Sequence, residues 1–175
     1  MQDKIKFRPT TRSMVFTGLF AAILCVISPL SIPIGAVPIT LSVFAVLLTG
    51  ALLPPAQAAC ATLVYILLGS AGLPVFSNMH GGAGVLFGAT GGFIMAYPLM
   101  ALTVSLAVRF LGGRKLLPLA AGMIPAVALC YLLGTLWFSH IAGGTLCVLP
   151  FIPFDLIKIV AAVTVALAVN KTKIL

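Results

Sequence analysis

Pro150-Phe151-Ile152-Pro153-Phe154-Asp155-Leu156-Ile157-Lys158-Ile159-Val160-Ala161-Ala162-Val163-Thr164-Val165-Ala166-Leu167-Ala168-Val169 places one carboxylate and one ammonium at the head of an otherwise apolar run. The run is continuous rather than alternating, so it reads as a helix able to meet hydrocarbon and not as a barrel strand. Asp155 is the only carboxylate side chain beyond residue 3. An ionisable pair at the edge of a hydrocarbon-soluble segment is costly to keep unless something binds it, so it marks a site. The expectation is a pocket for a small polar solute.

Moving outward, the whole chain shares this character. Of its 175 residues 62% are hydrophobic and only 7% charged, too apolar to present an ordinary wetted surface. A hydrocarbon core of ~30 Å needs roughly 17 to 25 apolar residues per helical crossing. Six runs qualify if shorter ones are admitted: 13–29, 39–53, 56–73, 90–111, 116–138 and 155–169. The second and sixth are short. The expected fold is an all-α integral membrane protein, a single transmembrane domain over residues 1–175 with no room for a large soluble appendage.

Charge placement tests that count independently of hydropathy, because Lys and Arg concentrate in cytoplasmic loops. Lys4, Lys6, Arg8 and Arg12 precede the first run, Arg109, Arg114 and Lys115 lie between the fourth and fifth, and Lys171 and Lys173 follow the sixth. Six spans put all of these on one side and both termini in the cytoplasm; five or seven would not. The three opposite loops, near residues 30–38, 74–89 and 139–154, contain no Lys or Arg. The net charge of +8 is then explained by topology and anionic lipid, and no basic stripe with interleaved aromatics points to nucleic acid. The basic, then apolar, N-terminus lacks a small-x-small cleavage site and is expected to be a retained first helix.

Cys25, Cys60, Cys130 and Cys147 are isolated from one another and form no Cys/His cluster, so neither a metal site nor a disulfide framework is expected. His80 and His140 fall in the expected outer loops. Those loops are rich in Gly and Pro yet apolar. The first, Ser28 to Thr40, has the proline spacing of an extended strap, either a lid over a cavity or packing on helix ends. The second, Gly72 to Phe93, lacks the third glycine of a dinucleotide fingerprint and the lysine of a P-loop. It reads either as a folded loop whose amides, with Asn78 and Thr90, face a polar ligand, or as tight turning alone. In the third, Pro153 can begin a helix and Asp155 can cap it. Capping does not explain Lys158, which lies at i+3 on the same face.

These residues and their order resemble the BioY proteins, biotin-specific substrate-binding (S) components of energy-coupling factor (ECF) transporters. The resemblance runs through Ile32-Pro33-Ile34-Gly35-Ala36-Val37-Pro38-Ile39-Thr40-Leu41, Tyr65-Ile66-Leu67-Leu68-Gly69, Gly72-Leu73-Pro74-Val75-Phe76, Gly88-Ala89-Thr90-Gly91-Gly92-Phe93 and Pro150 to Lys158. Ala89, Phe93, Ser42 and Phe154 stand where the family usually has proline, tyrosine, glutamine and glycine. The resemblance implies a six-helix subunit of a prokaryotic plasma membrane, with Gly/Pro-rich outer loops capping a solute pocket. It also implies a membrane coupling (T) protein and two cytoplasmic ATP-binding subunits as partners. The chain itself has no Walker motif. Biotin would be the transported ligand, with no cofactor.

Biotin offers two ureido N–H donors, one carbonyl acceptor, an apolar ring and chain, and an anionic tail. Asp155 and Asn78 suit the ureido head. Lys158 can pair with Asp155 or reach the ligand carboxylate. Thr90 and the rings of Phe76, Phe93 and Phe151 are candidates to enclose the ligand, whereas Tyr97 and Tyr131 count for less because membrane tyrosines often sit at interfaces. On the first helix Ser13, Thr17, Ala21 and Cys25 recur every four residues beside Gly18 and Ala22. That stripe suits close helix contact, either docking on the coupling protein or packing within this subunit. A subunit for another vitamin and a stand-alone permease are the alternatives. An intramembrane enzyme would want an acid/base or nucleophile constellation, and none is found.

Overall fold

The computed structural model describes residues 10–33, 37–144 and 148–171. Asp3, Lys4, Lys6, Arg8, Gly35, Ala36, Cys147 and Lys173 lie outside the described residues. Among the described residues there are seven α-helices: α1 (Thr11–Ile27), α2 (Ser42–Leu52), α3 (Pro55–Ser70), α4 (Ala83–Phe87), α5 (Gly91–Phe110), α6 (Leu116–Ala142) and α7 (Ile152–Lys171). Two short strands, β1 (Ser31–Ile32) and β2 (Ile39–Thr40), pair antiparallel with Ser31 opposite Thr40. Single 3-10 turns occur at Ser77–Met79 and Leu149–Phe151.

The six longer helices fall on the six apolar runs, with boundaries set by local chemistry. Pro54 is extended and Pro55 opens α3, where a missing N–H costs nothing. At the end of α6, Gly143 adopts the left-handed conformation at φ 68° and its N–H bonds back to Ser139, the usual glycine stop. This carries α6 four residues beyond the expected Phe138. α7 begins three residues before Asp155, so the carboxylate sits in the first turn.

The second run is not one helix. Its first residues pair as β2, and only 11 residues form α2, about 16 Å of helix. That is roughly half a hydrocarbon thickness. Every residue of α2 from Ala45 to Leu52 is buried, so α2 is a core helix enclosed by the others. By length and composition α5, α6 and the stretch Leu149–Lys171 can cross a membrane, while α1 and α3 are shorter apolar helices.

α5 is the hub: it packs against α2, α3 and α6, with α1 on α3 and α7 on α2. Small residues allow the close approaches. A Cβ on Gly50 would meet the Ala101 carbonyl, one on Gly122 the backbone of Val104, one on Gly92 the Cβ of Trp137, and one on Gly134 the ring of Phe93. The Ser105 hydroxyl donates to the buried Leu53 carbonyl at 2.6 Å, pinning the end of α2 to α5. The small-residue stripe of α1 divides. Ala21 is buried in the core, whereas Gly18 and Ala22 lie on the outward face, because one residue further along turns a side chain about 100° round the helix. Ala21 therefore packs within this subunit.

The helix ends segregate by charge. Arg114, from the α5–α6 turn, donates Nε to Ala51 O at 3.2 Å and Nη2 to Leu52 O at 2.7 Å. Asn170 at the end of α7 donates to Arg114 O. Arg12, Arg109, Lys115 and Lys171 flank these same helix ends. The opposite end gathers the strap, the glycine-rich loop and the start of α7. Because α5 and α6 are sealed through Gly92, Gly92→Ala is expected to lose about 1–3 kcal/mol by overpacking. Gly18→Ala, which meets nothing within 4 Å, should instead stabilise by about 0.5–1 kcal/mol, because alanine is the better helix former. Thermal unfolding of the purified protein in detergent checks the pair.

Candidate solute pocket

At the end away from the arginines, α2, α3, α5, α6 and α7 leave a pocket of about 740 Å³, counting the space at its mouth. Its walls are mainly apolar: Val37, Ile39, Val43, Phe93, Ile94, Val127, Phe151 and their neighbours. Asp155 and Lys158 open into it from α7 although they are only 5% and 8% exposed. Lys158 Nζ donates to Asp155 Oδ1 at 2.7 Å. The Tyr131 hydroxyl, reaching from α6, donates to Asp155 Oδ2 at 2.5 Å. Both carboxylate oxygens are thus met by donors on a helix turn whose dipole also favours an anion, which is how a buried charge pair becomes tolerable. Thr40, Ser42, Ser77, Thr90, Tyr65 and Tyr97 also line it, with the Tyr65 hydroxyl donated to Val75 O at 3.2 Å.

The structure therefore brings together Asp155, Lys158, Thr90, Phe93 and Phe151. Phe76 stands elsewhere. It is fully buried, edge-on to Tyr65 with ring centroids 5.6 Å apart, and fills the space that Gly69 leaves open. Its role is to set the Tyr65 ring rather than to line the cavity.

Asn78 is also outside the wall. It is exposed and left-handed at φ 56°, a conformation asparagine tolerates. Its Oδ1 accepts from the Ser31 hydroxyl at 2.9 Å while its N–H donates to the same oxygen at 2.9 Å. Asn78 ties the glycine-rich loop to strand β1 of the strap. The loop amides are used internally: Gly82 N–H reaches Gly69 O at 2.7 Å and Gly91 N–H reaches Gly88 O at 3.0 Å. Tight turning, with Trp137 Nε1 donating to Gly88 O at 3.0 Å, is what the glycines serve.

Tyr131 and Tyr97 were set too low by the sequence reading. Tyrosines in apolar runs do favour interfaces, but a hydroxyl inside a bundle needs a partner. Tyr131 has Asp155, and Tyr97 tilts toward Tyr65 with centroids 6.3 Å apart. A tyrosine on the run preceding a lone carboxylate was the available signal. His80 is exposed and turned to the Ser77 carbonyl, and among the described residues no group of His, Cys, Asp or Glu is placed to hold a metal.

The architecture is that of an S component. It aligns with a crystal structure, at 2.1 Å, of the S-component for biotin from an ECF-type ABC transporter, with a TM-score of 0.84, 24% identity, and coverage of 98% of this chain and 95% of that one. A model of the BioY family matches residues 1–174. The chain is 37% identical over 158 residues to biotin transporter BioY2 of Lactococcus lactis subsp. cremoris, covering 89% of this chain and 86% of that protein. It is 37% identical over 171 residues to biotin transporter BioY of Thermotoga maritima, with coverage of 93% and 98%. The chain belongs to the BioY family.

Removing one member of a buried pair leaves an uncompensated charge, whereas replacing both by apolar groups does not. Lys158→Met alone is therefore expected to cost about 3–5 kcal/mol. The double variant Asp155→Leu with Lys158→Met should recover most of that loss. Thermal unfolding of both variants decides; equal losses would remove the ion pair from this account.

Proposed function

We propose that this chain is the biotin-binding S component of an ECF-type importer, a single domain that crosses the membrane six times with both termini in the cytoplasm. Its task is capture at the outer face. A membrane coupling protein and two ATP-binding subunits supply the energy, and the chain is a binding subunit, not an enzyme. The segregation of Arg12, Arg109, Arg114, Lys115 and Lys171 at the end opposite the pocket supports this orientation.

One observation carries the ligand reading: a buried carboxylate and ammonium stand side by side, 2.7 Å apart, in the wall of an otherwise apolar pocket. The ureido edge of biotin presents an N–H and a C=O side by side. Asp155 accepts from the N–H and Lys158 donates to the carbonyl, each in a charge-assisted bond. Tyr131 keeps Asp155 aimed. The apolar walls, with Phe93 and Phe151, take the thiophane ring and chain, and the hydroxyls of Thr40, Ser42, Thr90 and Tyr97 offer donors for the tail. β1 and β2 form the strap that, with the Ser31–Asn78 link, closes the pocket. Gly18 and Ala22, outward on α1, are the residues left to meet the coupling protein.

Equilibrium binding of labelled biotin to the purified subunit tests this. Saturable binding is expected for the wild type. Asp155→Asn strands Lys158 and should weaken binding by roughly 2–5 kcal/mol, that is about 30-fold to several thousand-fold. No saturable binding at micromolar ligand would end the biotin assignment. Unchanged affinity in Asp155→Asn would place the ligand elsewhere.

A further inference from the structure

A second cavity lies at the arginine-bearing end, some distance along the helices from the solute pocket. Its walls are the first turns of α1, the end of α2, the start of α3 and the α5–α6 turn, with Arg12, Arg114, Gln57, Ser13, Phe16 and Leu53 among the residues that face it. Among the described residues no carboxylate lines it. Arg12 stacks its guanidinium over the Phe16 ring at 5.6 Å. Arg114 is half-buried, and its hydrogen bonds to Ala51 O and Leu52 O fix the plane of the group. Burial pulls the Arg114 pKa below its ordinary value, and an anion in the cleft would act against that. The start of α3 adds to the field. Pro54 and Pro55 leave the helix without a side-chain cap, and first-turn N–H groups have no partner within a helix. The rest of the rim is apolar, through Phe16, Leu52, Leu53 and Pro54.

We infer that this cleft is a binding site for the phosphodiester headgroup of an anionic phospholipid of the cytoplasmic leaflet. Arg12 and Arg114 flank the phosphate, Gln57 and Ser13 hydrogen-bond its oxygens or the headgroup hydroxyls, and the apolar rim takes the glycerol and first acyl carbons. A free phosphate would use the same donors but none of the rim, and the rim is what assigns the cleft to a lipid. The site ties the α1–α3 pair and the α5–α6 turn to the membrane surface, at the depth where a juxtamembrane arginine contributes most. This inference uses the membrane-spanning reading and is independent of what the outer pocket binds.

The test is a thermal-shift titration of the purified full-length protein in neutral detergent with short-chain phosphatidylglycerol, phosphatidylcholine of the same chain length, and inorganic phosphate. Phosphatidylglycerol is expected to stabilise saturably at a lower concentration than either of the others. Arg12→Gln, and separately Gln57→Glu, should each raise its midpoint about fivefold, while Arg12→Lys stays near the wild type. Biotin affinity is measured on the same variants and should not change, so a failure here and a failure at the outer pocket are separately visible. Equal midpoints for the two lipids, or unchanged midpoints in both charge-altering variants, would overturn the proposal. Saturation by inorganic phosphate at the phosphatidylglycerol midpoint would assign the cleft to free phosphate and overturn the lipid reading.

Discussion

The ion pair between Asp155 and Lys158 constrains everything around it. Each charge carries a desolvation penalty of several kcal/mol when taken out of water, and the surrounding helices offer few polar atoms to offset it. Three arrangements make the pair tolerable. The i,i+3 spacing on α7 lets the ammonium reach Oδ1, the first turn of α7 presents its dipole to the carboxylate, and Tyr131 closes Oδ2 from the neighbouring helix. The third fixes the rotation of α6 against α7. The pair thus dictates how two helices meet, and the pocket forms where they part.

Rigidity of the remaining wall comes from a different source. Between α5 and α6 the glycines at 92 and 134 are filled by Trp137 and by the Phe93 ring. The same contact that seals the helices also orients Phe93 toward the cavity. On the other side Phe76 occupies the void at Gly69 and holds Tyr65 edge-on. Aromatic groups near the pocket therefore divide into those that touch its space and those that fix the ones that do. A pocket whose walls are locked by packing loses little entropy when a ligand enters.

Hydropathy made the helices legible, because it is additive along a chain and needs no partner. Asp155 and Lys158 were legible for a related reason: ionisable groups are so rare in this sequence that each one demands an account. What could not be read depends on which side chain faces which. Asn78 has the chemistry of a ureido ligand, yet a left-handed backbone turns it to Ser31. Phe76 sits in a motif beside the pocket, but a missing Cβ seven residues earlier, at Gly69, draws its ring into the core. The second apolar run had the length of a short span, and only the packing of its neighbours makes α2 a buried half-helix preceded by a strand.

That half-helix also closes the floor of the pocket. Below the pocket, α2 is enclosed by α5, and the fully buried Leu47, Met100, Val104, Leu119 and Met123 fill the space between them and α6. The backbones approach so closely at Gly50 and Gly122 that even a methyl group would collide. Opening a path through this seam would strip close-packed contacts along several helix turns, and interiors of this density do not deform gradually. The end of α2 is further held by Ser105 and Arg114. The strap is held differently, by a two-residue ladder, the Leu41 N–H on Leu30 O, the Ser31–Asn78 contact and the buried side chains of Val37 and Ile39.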